Sequence, residues 1–178
     1  MMILTGAPAL SAFRCEKLLN RLQAAEPSVA SVSARYLHFI DLGSELDESA
    51  VATLSALLTY GPKQEQEDTQ GSLLLVVPRP GTISPWSSKA TDIVHNCGLP
   101  EVRRVERGIA CYVQTVTDLD QAQFNVVGEL LSDRMVEAVL TSPAEAEILF
   151  AQEQPAPLKF VDILAGGAEA LRSANAEL

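Results

Sequence analysis

The spacing of apolar positions changes several times along this chain, and each change marks an element. Residues 2–5 are a short apolar run that predicts a strand. Ser11 is a good helix N-cap, and Phe13, Leu18, Leu19 and Leu22 line one side of the helix after it. Glu26-Pro27 stops that helix, because the residue before a proline avoids the α region. Residues 29–40 are rich in β-branched and aromatic side chains and predict a long strand. A second helix is better marked. Asp47 can cap it, Val51, Leu54 and Leu58 recur at i, i+3 and i+7, and Gly61 stands where a left-handed C-terminal residue belongs, with Pro62 after it.

Residues 72–77 (Ser-Leu-Leu-Leu-Val-Val) are continuously apolar, as in a strand buried on both faces. Pro78-Arg79-Pro80-Gly81 leaves the sheet in extended form. A third helix is expected to turn Ile93, Val94 and Cys97 inward and to stop at Gly98. Residues 101–116 predict another long strand, with Val105, Ile109, Cys111 and Val113 inward and a bulge at Gly108. Asp118 and Gln121 stand at capping-box spacing before a fourth helix running to about Leu131. Residues 134–140 predict a closing strand. After Thr141 the character changes: a short helix over 144–151 opens at Pro143, residues 154–157 resemble a linker, and 161–178 form an amphipathic helix with no C-cap glycine. That pattern predicts a chain cut inside a larger protein.

The pattern also repeats at one offset. Leu46-Asp47-Glu48-Ser49-Ala50-Val51 is answered by Leu119-Asp120-Gln121-Ala122-Gln123-Phe124, 73 positions on. Leu54, Leu57 and Leu58 are answered by Val127, Leu130 and Leu131, Pro27 by Pro100, and Ser11-Ala12-Phe13 by Ser84-Pro85-Trp86. Two copies of one unit (about 1–72 and 73–141) predict an α+β fold: a mostly antiparallel sheet, helices packed on one face, and pseudo-twofold symmetry.

Composition narrows the function. The chain has 178 residues, 47% of them hydrophobic, enough for one sizeable core. Its formal charge of −10 disfavours nucleic acid, whose binding rests on neutralising phosphates, and equally an anionic membrane surface. No apolar run is long enough to cross a bilayer, and the N-terminus lacks the basic and apolar regions of a signal peptide. Cys15, Cys97 and Cys111 read as reduced, cytosolic thiols.

The stretch Pro78-Arg79-Pro80-Gly81-Thr82-Ile83-Ser84-Pro85-Trp86-Ser87-Ser88-Lys89-Ala90-Thr91-Asp92-Ile93, with His95-Asn96-Cys97-Gly98-Leu99 after it, resembles the N-terminal region of the large, single-chain phosphoribosylformylglycinamidine synthases. Pro8-Ala9-Leu10-Ser11-Ala12-Phe13, Tyr60-Gly61-Pro62 and Val105-Glu106-Arg107-Gly108 agree, so the likeness spans the chain. It implies a PurS-like N-terminal domain over 1–141, built as a fused dimer of the small PurS protein, and the truncated start of a linker domain over 142–178. It also implies a part in the ATP- and glutamine-dependent conversion of formylglycinamide ribonucleotide to the amidine in purine biosynthesis. ATP and magnesium would belong to the synthetase domains of the same polypeptide, and a Cys, His and Glu triad to its glutaminase domain. These domains would be the partners of this one, which carries no catalytic residue.

The residues themselves offer two candidate surfaces. Thr82, Ser84, Ser87, Ser88 and Lys89 gather around the N-terminus of the third helix, with Arg79 and Trp86 beside them, and such a terminus favours an anion. No Gly-Lys-Ser/Thr follows a glycine-rich loop there. Ser84 as cap, Pro85 at the first helical position and Trp86 in packing, plus a domain contact, is preferred over a phosphate site. Arg79, Arg103, Arg104 and Arg107 form a basic island. A solvated strand edge is the default, and a docking surface for the synthetase domain is the expectation. His95 and Cys97 do not face each other on a helix, and Cys97 is expected in the core. Neither a cofactor nor a metal site is expected, since three cysteines and two histidines lie on separate elements. Two other functions stand as alternatives. One is a stand-alone, duplicated ferredoxin-like module that binds a small anion; the other is a hydrolase that uses Cys97.

Overall fold

A computed structural model describes residues 1–61, 69–116, 119–151 and 157–176. The sheet holds five antiparallel strands in the order β1-β2-β4-β3-β5: β1 (Met2–Pro8), β2 (Val29–Leu42), β3 (Ser72–Pro78), β4 (Val102–Thr115) and β5 (Glu137–Leu140). Helices α1 (Ala12–Ala25), α2 (Glu48–Leu58), α3 (Pro85–Asn96) and α4 (Gln121–Leu131) pack on one face. Leu22 and Val127 cover one end of that face, and Leu54, Leu58 and Val94 the other. A 3-10 helix (Pro143–Phe150) lies on the opposite face, where Ala146 and Leu149 bury against Leu37, Phe39, Leu75 and Ala110. This segment, beyond the boundary expected at Thr141, therefore packs on the sheet. The last helix, α5 (Ile163–Ala176), has no buried residue and kinks at Gly167, where φ is 52°. No helix among the described residues is long and apolar enough to cross a membrane.

The 73-residue offset recurs in the bounds of two pairs of elements. β4 begins and ends 73 residues after β2, and α4 does so after α2. The β2–β4 ladder pairs Tyr36 with Ile109, two repeat-equivalent positions, so most of the ladder reads alike from either strand. A two-fold arrangement of the halves requires that property. The single offset fails at the flanking strands. Met2 of β1 pairs with Ile40, whereas Ser72 of β3 pairs with the equivalent Val113, an offset of 70. The connection from Pro78 to Pro85 is correspondingly longer than that from Pro8 to Ala12.

Helix starts follow local capping chemistry. Ser11 and Ser84 cap α1 and α3, and Asp47 and Asp120 cap α2 and α4, each side chain accepting a backbone N–H three residues on. The capping box of α4 is Asp120 with Gln123; Asp118 lies outside the described residues. So do residues 62–68, residues 154–156 of the expected linker and the end of the last helix.

Two expectations about facing are corrected. Ile93 is 45% exposed and Cys97 is exposed. Trp86, Ala90 and Val94, spaced by four, form the seam of α3 against the core, which turns position 93 aside, and Cys97 is the C-cap. Gly108 marks no bulge, since the register runs unbroken through it opposite Leu37. A Cβ there would fall 3.0 Å from the Val76 carbonyl oxygen and 3.0 Å from Val77 Cγ1, so glycine serves close approach to β3.

The outer edge of β4 is only half covered by a strand. β3 pairs with it from Val113 to Ile109, and from there α3 runs alongside. Thr91 Oγ1 accepts the Val105 N–H at 3.0 Å, and His95 Nε2 lies 2.6 Å from the Val102 carbonyl oxygen. Gln23 Nε2 donates to the Val29 carbonyl at 3.0 Å, so the repeat-equivalent carbonyl is satisfied the same way. A buried backbone group left unpaired costs about 1–3 kcal/mol. Thr91→Val should therefore lower unfolding free energy by about 1–3 kcal/mol, because it strands the Val105 N–H, while Thr91→Ser keeps most of the stability. Urea denaturation monitored by circular dichroism checks both.

Candidate functional site

Strand alternation sends Arg104 and Glu106 to one side of β4 and Arg107 to the other, and both sides meet the first turn of α3. Two polar clusters result.

Glu106 has no exposed side-chain surface. Its carboxylate accepts the Ser84 backbone N–H at 3.2 Å, the Ser84 hydroxyl at 2.9 Å and the Arg104 guanidinium. Arg104 uses every nitrogen. Nη2 also donates to the Thr82 carbonyl at 2.8 Å, Nη1 to the Leu149 carbonyl at 3.1 Å and Nε to Ser87 Oγ at 3.4 Å, and its Cζ lies 5.5 Å from the centre of the Phe150 ring. Ser84 Oγ accepts the Ser87 N–H at 3.0 Å, the capping bond of α3. A buried charge persists only when paired and fully hydrogen-bonded, and this carboxylate is both. It also sits where a helix N-terminus attracts an anion, so the chain supplies that anion itself.

In the second cluster, the Arg107 guanidinium carbon lies 4.2 Å from the centre of the Tyr36 ring and 4.6 Å from that of Trp86. Nη1 donates to Tyr60 Oη at 3.1 Å, and Tyr60 Oη lies 2.7 Å from His38 Nε2. His38 is fully buried, 5.7 Å from Trp86 and edge-on to Tyr60 at 5.5 Å between ring centres. Gly6 leaves the room for it, since a Cβ there would fall 2.6 Å from His38 Cε1. Burial, and then the Arg107 charge, pull the His38 pKa down to about 4. Burial also pushes the Tyr60 hydroxyl above its ordinary range. Desolvated cation–π contacts of this kind contribute about 2 kcal/mol.

Ser84, Trp86, Ser87, Arg104 and Arg107 therefore come together around the start of α3, whereas Arg79, Ser88 and Lys89 are exposed around it. Arg79 lines an open cleft of about 530 Å3 with Ile83, Met135 and Val136. Lys89 edges a small apolar groove of about 190 Å3 between α2 and α3. Arg103 is exposed and pairs with Asp41 at 2.6 Å, a surface bridge of small worth. A cavity of about 640 Å3 opens between Met1, Asp41, Arg103, Glu147 and Phe150. His95 is engaged with Val102, and Cys97 caps its helix. Burial pushes the Cys111 thiol up to about 12. Among the described residues no group of three His, Cys, Asp or Glu is placed to hold a metal ion.

Sequence reasoning missed Glu106, Tyr36, Tyr60 and His38 as members of these clusters. The available signal was alternation: an acid two residues from an arginine in a strand shares its face.

His38 gives a pH dependence with a definite sign. Its unfolded pKa is near 6.5 and its folded pKa about 4, so its contribution is fully present above 6.5 and fades as pH falls through 4. Thermal melts between pH 7 and 4.5 should show Tm falling with pH, and His38→Phe should flatten that slope. Because Glu106 occupies the anion position of α3, titration with ribose 5-phosphate to millimolar concentration should leave Trp86 fluorescence unchanged. A saturable change would contradict that occupancy.

The formylglycinamide ribonucleotide amidotransferase N-terminal family matches residues 35–150, from the middle of β2 to the end of the 3-10 helix. The matched span contains both polar clusters except Gly6, and it covers more than half of the sequence. The chain belongs to the formylglycinamide ribonucleotide amidotransferase N-terminal family.

Proposed function

We propose that this domain is a non-catalytic scaffold of phosphoribosylformylglycinamidine synthase, in the ATP- and glutamine-dependent step that makes formylglycinamidine ribonucleotide. The family match supports the enzyme. The scaffold role is carried by how the polar clusters are used. Arg104 and Glu106 spend their hydrogen bonds on the chain itself, Arg107 donates to Tyr60, and His38 is buried and neutral. A catalytic acid, base or nucleophile must reach a substrate, and the fully buried Glu106 and His38 do not. ATP and magnesium are assigned to the synthetase domain, and ammonia release from glutamine to the glutaminase domain of the same polypeptide. The sheet and its four helices would hold those parts so that ammonia passes between them without loss to water.

The 178-residue chain, incubated with formylglycinamide ribonucleotide, ATP, magnesium and glutamine, should release neither glutamate nor amidine. Removing residues 1–150 from the full-length enzyme should lower glutamine-driven amidine formation by about tenfold or more. An unchanged rate in the deletion, or turnover by the isolated chain, contradicts the scaffold reading.

A further inference from the structure

We infer that Arg104 is a positioning residue: it fixes the direction in which the chain leaves the sheet at Ala151, and so the docking geometry of the polypeptide beyond that point. This rests on the scaffold reading above. The 3-10 helix is held on the open face of the sheet by two buried side chains, Ala146 and Leu149. Its last turn carries carbonyls with no partner further along a helix, and 3-10 geometry holds them poorly. Arg104 supplies what is missing. One guanidinium nitrogen takes the Leu149 carbonyl at 3.1 Å, and the plane lies near the Phe150 ring at 5.5 Å. The same group grips Thr82 and Ser87, in the connection into α3 and its first turn. It thereby ties the segment that leaves the sheet to the start of α3.

The fork needs arginine. A lysine can neutralise Glu106 but cannot span Leu149, Thr82 and Ser87 at once. Glu106 in turn holds the guanidinium in a fixed place, with its own oxygens locked by Ser84. Nothing in the Arg104–Glu106 pairing by itself requires a bond to the exit segment, so the Leu149 contact is a separate function of the same side chain.

The test uses the full-length enzyme with Arg104→Lys, which keeps a cation beside Glu106, and Phe150→Ala, which leaves the charge pair untouched. The readouts are glutamate released per amidine formed, the amidine rate driven by ammonium in place of glutamine, and Tm. Positioning predicts that both variants raise the ratio about twofold or more while the ammonium-driven rate stays within about twofold of wild type. A merely structural role lowers Tm and leaves the ratio at its wild-type value. If Arg104→Lys fails to fold, Phe150→Ala decides. Wild-type ratios in the folded variants overturn the assignment, even where the deletion of 1–150 still uncouples the enzyme. A deletion that leaves the ratio unchanged removes the scaffold reading itself.

Discussion

The structure depends on closing the stretch of the β4 edge that no strand covers. β4 is a central strand, and its outer edge is strand-covered only where β3 reaches it. A bare ladder of N–H and C=O groups beside a core is costly. Here a helix takes the place of the missing strand. Thr91 receives the Val105 N–H, His95 meets the Val102 carbonyl, and Val94 and Leu99 fill the space beneath. A helix cannot present a regular row of backbone partners to a strand, so side chains of the right reach must do it.

That solution explains why charged groups are buried. Once α3 lies along β4, its N-terminal turn faces the strand at the level of Arg104 and Glu106. The turn presents free N–H groups, and Glu106 answers them. A buried carboxylate then demands a cation, and Arg104 is two residues away on the same face. On the other face Arg107 lies against the Tyr36 and Trp86 rings and has Tyr60 as its acceptor, and burial first, then the Arg107 charge, depress His38. The clusters arise in order from the edge problem, each group satisfying the one before it.

Much of this was legible in the sequence, and the reasons for the rest are physical. The α+β class, nearly every element and the caps at Ser84 and Asp47 follow from periodicity and capping chemistry, which are local. Repeat arithmetic locates β4 and α4 from β2 and α2. What escaped was tertiary. Ile93 and Cys97 are apolar at helical spacing, yet a helix lying along an edge buries a narrower stripe than one lying flat on a sheet, and Trp86, Ala90 and Val94 fill it. The arginines at 103, 104 and 107 look like one basic island in sequence. The pleat and the end of the ladder give them three different environments: solvent beside Asp41, a buried carboxylate, and an aromatic cage. Composition cannot foresee that division, because it depends on which face each position takes and on what packs there.

The two ends of the sheet also differ in a way that locates the specialised half. Ser11 and Ser84 are equivalent caps, and Phe13 and Trp86 are equivalent aromatics two positions later. Trp86 lies over Arg107, whereas Phe13 is 73% exposed. The position equivalent to Arg107 is Ala34, and that equivalent to His38 is Cys111, both buried in an apolar cluster with Leu22 and Val127. With no cation beneath it, the aromatic of the first half has nothing to stack on. The first end of the sheet is closed mainly by hydrocarbon, with a few uncharged side-chain bonds such as that from Gln23 to the Val29 carbonyl, and an apolar closure tolerates shifts of its helices at modest cost. The second end is closed by directional bonds and a buried charge, which tolerate almost none. Rigidity concentrated at the α3 end, where the 3-10 helix also leaves the sheet, is what a domain needs if it is to set the orientation of its neighbours.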